Sequence, residues 1–171
     1  MRVKNYILKL KRMINLSEQE LKNRKSIRRT TNFQKTLDSC GSNLCLIGDP
    51  IVFSPERLSI GNNCKINQNV YINARSGVTI GDDVTLSYGA KIISTGYDIE
   101  HWVATGEKKH ITDAPVVIGN HCWICTDAII LPGVKISGEY VVVAAGAIVT
   151  KDITESRVIV AGSPAKIIKS I

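Results

Sequence analysis

A large aliphatic residue returns every six positions through most of this chain, and that beat limits the folds open to it. Ile60, Ile66 and Ile72 begin the series, and Ile80, Leu86 and Ile92 follow after a two-residue slip. Ile118, Ile124, Ile130, Ile136 and Val142 resume it after a long interruption. A small or apolar residue stands four positions after many beats, at Cys64, Val70, Val84, Ala90, Cys122, Ala128 and Val134. Gly61, Gly81 and Gly119 each directly follow a beat. Helices repeat at about 3.6 residues and strands at about 2, so neither yields this spacing. A parallel β-helix does yield it. Each short strand turns one large aliphatic inward, small or flexible residues take the tight corners, and stacked coils hydrogen-bond one another. The expected fold class is therefore all-β.

Departures from the beat carry information too. Phe53 to Ile60 spans seven residues and Ile72 to Ile80 spans eight, which predicts small bulges at Pro55 and around Arg75–Gly77. Another residue is added near Ser137–Val143, since Val143 to Val149 also keeps a six-residue step. The large break is a loop over residues 94–115 that holds two of the three histidines, His101 and His110. A structureless loop of that length in a compact domain is normally functional, so the chemistry is expected there.

Charge divides the chain at about residue 40. Residues 1–40 hold 11 Lys and Arg against 3 Asp and Glu, whereas residues 41–171 hold 11 against 12. The basicity belongs to an N-terminal segment, and a nucleic-acid binder would want it on the folded domain itself. Val3, Ile7, Leu10, Ile14 and Leu21 trace one helical stripe with Lys4, Lys9, Lys11 and Arg12 between them. Ser17 and Glu20 read as a capping box, which predicts a second helix from near Glu18. These helices either pack on the body or a neighbouring subunit, or, through residues 1–30, meet an anionic membrane surface or acidic glycan. No run approaches the roughly 18 apolar residues of a membrane span, and the first residues lack signal-peptide character. A cytoplasmic location is expected, peripheral to the inner face of the membrane if residues 1–30 do make that contact. Five cysteines without a secretion signal are expected as reduced thiols.

The ordered motifs now support a resemblance. The loop after Ile92-Ile93-Ser94-Thr95-Gly96, the run Ile118-Gly119-Asn120-His121-Cys122-Trp123-Ile124, and Ile130-Leu131-Pro132-Gly133-Val134 resemble the hexapeptide-repeat acyltransferases. So do Ala145-Gly146-Ala147-Ile148-Val149-Thr150-Lys151-Asp152 and Ala161-Gly162-Ser163-Pro164-Ala165-Lys166. The likeness covers residues of about 45–169 and is nearest to the sugar O-acetyltransferase branch. It implies a left-handed β-helix, a homotrimer, acetyl-coenzyme A bound between subunits, and a role in bacterial surface-glycan (polysaccharide) biosynthesis. It also implies that backbone N–H groups at the corners stabilise the oxyanion of acyl transfer.

In that family a His directly after Thr-Gly takes the acceptor hydroxyl's proton, a task suited to imidazole. Here Tyr97 follows Thr95-Gly96, so the expected base is absent from the matching position. The resemblance then points to His101 as base, with Asp98 and Glu100 to orient it or hold its imidazolium form, and Tyr97 to position the acceptor. It implies coenzyme contacts at Trp123, Thr126, Ala145, Thr150 and Lys151, phosphate contacts at Lys166 and Lys169, and an acceptor contact at Asn67. His110 is expected on the exposed return of the loop and His121 in a corner, both in structural roles.

Four other readings stand beside this one. Cys122-x-x-Cys125 invites a metal or redox site, but the beat puts Cys122 inward and Cys125 at a corner, so the thiols diverge. A zinc lyase of the γ-carbonic-anhydrase type needs three suitably spaced histidines, a pattern this chain does not resemble, so no metal is expected. A nucleotide-sugar N-acetyltransferase and a non-catalytic β-helix scaffold remain open.

Overall fold

The computed structural model describes residues 2–111 and 113–171, with the side chains of residues 2–8, 10–16, 19 and 22 outside the description. The chain forms two compact units, Met1–Lys35 and Thr36–Ile171.

The first unit is one helix, α1, over Arg2–Gln34. No second helix starts near Glu18: Ser17 and Glu20 sit exposed inside α1. A capping box acts only where the backbone breaks, and the first 40 residues contain neither Gly nor Pro to break it. Of the proposed apolar stripe, Val3, Ile7, Leu10 and Ile14 lie outside the described side chains, and Leu21 is exposed.

The second unit is a left-handed parallel β-helix of about six turns. Its strands stack into three sheets. Face A comprises Ser39–Cys40, Leu58–Ile60, Val78–Ile80, Val116–Ile118 and Lys135–Ile136. Face B comprises Cys45–Ile47, Lys65–Asn67, Thr85–Leu86, Trp123–Ile124, Val142–Val143 and Val158–Gly162, and Ala165–Ser170 closes it antiparallel to Val158–Gly162. Face C comprises Ile51–Phe53, Tyr71–Asn73, Lys91–Ile93, Ile129–Ile130 and Ile148–Val149. Cα partners in the early coils lie 20 residues apart, as in Ser59 with Thr79 and Tyr71 with Lys91. The inward residues form the core: Leu58, Ile66, Ile72, Leu86, Ile92, Ile118, Ile124, Ile130 and Ile136 are all fully buried.

The small partners of the beat, from Cys64 through Val134, are buried as well, so each coil side inserts two side chains two residues apart. Two register details differ from the sequence expectation. Val52 opposes Ile72, which leaves Phe53 opposite Asn73 and 53% exposed. Val143 with Val141 is buried and Val142 between them is only half-buried, because the extra residue falls before that strand.

Corner chemistry explains why coils stack in register. Along the A–B edge the Asn62 side chain accepts the Ser42 N–H at 2.9 Å, Asp82 accepts that of Asn62 at 2.6 Å, and Asn120 accepts that of Asp82 at 2.9 Å. Each corner side chain thus satisfies a backbone donor of the coil beside it. The next residue in each corner, Asn43, Asn63, Asp83, His121, Tyr140 and Arg157, has positive φ.

Candidate active site

The excursion leaves face C after Ile93 and rejoins the prism at Val116 on face A. It is not structureless. Gly96 and Asp98 pair with the returning chain, Asp98 N–H to Lys109 C=O at 2.8 Å and Ile111 N–H to Gly96 C=O at 2.9 Å. Tyr97 and His110 form the antiparallel bridge between those bonds. The base of this hairpin is fastened to the prism: Ile111 C=O accepts from the Ser76 hydroxyl at 3.1 Å and from the buried Thr95 hydroxyl at 2.9 Å. Buried Ser94 links the same corner, donating to Asn73 C=O at 2.8 Å and accepting the Ser76 N–H at 3.0 Å.

A second helix, α2 over Ile99–Thr105, forms the tip of the excursion. Asp98 is its N-cap, and the carboxylate accepts the backbone N–H of His101 at 2.9 Å. Gly106 ends it in the left-handed conformation. Asp98 thus has a structural task at the helix start beside the role that the sequence reading gave it. Exposed Glu100 lies in the first turn, where a negative charge suits the helix dipole. His101 itself is half-buried on a helix none of whose residues is buried.

His110 is exposed on the return of the loop, yet it has a neighbour that sequence spacing did not show. Its ring stacks on Tyr97, centroids 4.6 Å apart and planes at 24°. The ammonium of Lys108 lies 5.6 Å from the Tyr97 ring and 4.7 Å from that of Trp102. The missed signal was the pairing of residues 96–98 with 109–111, which places residues 97 and 110 side by side across 13 positions of sequence. His121 sits in its expected corner, stacked on Tyr140 at 4.5 Å with Nδ1 3.6 Å from Asp83.

Trp123 projects from face B, half exposed, and its indole N–H donates to the Ser87 hydroxyl at 2.8 Å. Asn67 lies two strands away on the same face, donating its amide to Leu86 C=O at 2.9 Å. Thr126 and Ala145 meet at the B–C edge, where the N–H of Gly146 donates to Thr126 C=O at 2.9 Å. Thr150 and Lys151 lie on the C–A edge, two coils beyond the excursion. Lys166 and Lys169 stand exposed on the last strand, opposite Ala161 and Ile159. These described residues therefore occupy two edges, one face and the final strand.

The Cys-x-x-Cys pair diverges in the way the beat requires: Cys122 is buried and Cys125 is half-buried, and both are free thiols. Burial pushes both thiols up from their ordinary range, and Cys64 likewise, which suppresses the reactive thiolate. Among the described residues no group of three or more His, Cys, Asp or Glu is placed to hold a metal ion.

No family model matches the chain. Galactoside O-acetyltransferase of Escherichia coli (strain K12) is 37% identical over 123 residues, spanning 71% of this chain and 59% of that protein. The putative lipopolysaccharide biosynthesis O-acetyl transferase WbbJ of the same strain is 30% identical over 148 residues, 81% of this chain and 70% of its own length. Among solved structures, the hexapeptide-repeat acetyltransferase VCA0836 of Vibrio cholerae O1 biovar eltor, complexed with acetyl-coenzyme A, superposes with a TM-score of 0.75 at 27% identity. That match covers 84% of this chain and 76% of the other.

Proposed function

From its membership of the hexapeptide-repeat acetyltransferases, the family to which this chain belongs, we propose that it transfers an acetyl group from acetyl-coenzyme A to a sugar hydroxyl in surface-glycan assembly. The observation that carries this reading is the pinned excursion, which holds imidazole groups at one edge of a rigid prism, together with relatives named for galactoside and lipopolysaccharide O-acetylation. The donor set suits the co-substrate. Exposed Lys151, Lys166 and Lys169 offer ammonium groups to phosphates, and the Thr126–Ala145 edge offers backbone groups beside small side chains. Acetyl-coenzyme A supplies the activated acyl carbon. Trp123 and Asn67 line the outer wall of face B, where an acceptor or the pantetheine arm would lie, and Tyr97 faces the acceptor from the excursion.

The resemblance implies a homotrimer, and in it the excursion of one copy would face the edge residues of the next, which lie apart in a single chain. The test of function is thiol release from acetyl-coenzyme A against a panel of sugars, including an amino sugar. Release that depends on a hydroxyl acceptor is expected, and none with any sugar overturns the reading.

The basic helix α1 carries 10 Lys and Arg against 2 Asp and Glu. It is the element suited to contact an anionic membrane surface. Sedimentation with vesicles containing anionic lipid should fall on added salt and in the exposed-site variant Arg24→Glu/Lys25→Glu/Arg28→Glu. Equal sedimentation with neutral vesicles removes the membrane from the proposal.

A further inference from the structure

Acyl transfer to a hydroxyl needs a base that is largely unprotonated near neutrality, and imidazole is the side chain suited to it. The chain has three histidines. His121 is engaged in a stack with Tyr140 and lies beside Asp83 at the A–B corner, on the opposite side of face A from the edge where the excursion rejoins. His101 rides on α2, the outlying tip of the excursion, a helix none of whose residues is buried. His110 differs in how it is held. It is bridged to Tyr97 between two backbone hydrogen bonds, and the next residue, Ile111, is gripped by two hydroxyls of the prism. These bonds hold the backbone around residue 110, and the stack on Tyr97 narrows the positions its ring takes, which favours it as a positioned base.

We propose that His110, not His101, is the base of the transfer. The inference rests on the acetyltransferase reading and deepens it. Tyr97 occupies the position where the resemblance expects the family histidine, and the structure sets the His110 ring directly against the Tyr97 ring. Stacking covers one face of the imidazole and leaves its edge, where both nitrogens lie, open to solvent and to an incoming hydroxyl. The acceptor O–H gives its proton to a His110 ring nitrogen while its oxygen forms a bond to the thioester carbonyl carbon. The C–S bond then breaks with its electron pair on sulfur, and the imidazolium returns the proton to that sulfur. The products are an acetyl ester and a free thiol, with His110 neutral again. Tyr97 acts as a positioning residue, its ring fixing the plane of the imidazole.

The test uses the full chain with acetyl-coenzyme A and the sugar that the parent acetylates fastest. His110→Ala should lower kcat on the order of 100-fold with KM for acetyl-coenzyme A unchanged, and free imidazole should restore part of the rate. His110→Gln, which keeps the backbone bridge and much of the side-chain volume, should lose kcat to the same extent. A parent-like kcat in His110→Ala overturns the proposal while leaving the transferase reading intact. So does a loss without imidazole rescue that is accompanied by a raised KM, or a rescuable loss confined to His101→Ala. A parent that releases no thiol with any acceptor defeats the transferase reading and this proposal with it.

Discussion

Glycine and its neighbours divide the labour of each corner in a way that the repeat alone did not show. Gly61 and Gly81 follow the beat, and a tight turn is the reason that sequence suggests. In the structure neither has positive φ; that conformation falls two residues later, at Asn63 and Asp83. The glycines are needed because the next coil passes too close: a Cβ on Gly81 would sit 2.5 Å from Asn120 Oδ1 and 3.0 Å from the Gly119 carbonyl carbon. Gly138 is tighter still, its Cβ direction running into the Glu155 carbonyl. Gly138→Ala should therefore cost about 1–3 kcal/mol, read as a lowered denaturation midpoint. Gly96→Ala, where nothing lies within 4 Å, should leave stability nearly unchanged. Equal midpoints for the two variants would show that inter-coil approach is not what selects glycine.

At the level of elements, the excursion is where sequence and structure part company. Its limits and its histidines were legible because the beat stops at Ile92 and resumes at Ile118. Its internal order was not, because α2 is too short for periodicity to reveal and the hairpin joins residues 13 positions apart. Asp98 shows the consequence. Proximity in sequence suggested a partner for the His101 ring, and the structure adds that one carboxylate oxygen caps the helix start. Asp98→Ala should speed amide exchange across residues 99–105 and cost the excursion about 1 kcal/mol, while Asp98→Asn, an equally good cap, should keep slow exchange. If both variants exchange alike, or if Asn abolishes turnover, the charge itself is the working feature.

For the whole molecule the decisive observation is dispersal. Tyr97 and His110 lie on the C–A edge, Thr126 and Ala145 on the B–C edge, and Trp123 on face B. A prism has no concave interior, because its axis is filled by Ile66, Ile72, Ile92 and their stacked equivalents. The proposed homotrimer would bring residues from these separate places together between neighbouring prisms. Light scattering on the eluting protein should give about 56 kDa, three times the 18.7 kDa chain. A mass equal to one chain at assay concentration would sink the shared site.

By itself the sequence determined the solenoid. A six-residue beat of aliphatics, with small residues between, leaves the chain one way to bury apolar surface while pairing every strand with the coil beside it. It also determined that the basic charge is local to the first 40 residues, since no fold can move a residue along the chain. Only the tertiary structure decided which histidine stands beside Tyr97, what Asp98 holds, and which corner residues need to be glycine. Those outcomes depend on contacts between segments with no fixed spacing, whose geometry exists only once the coils have stacked.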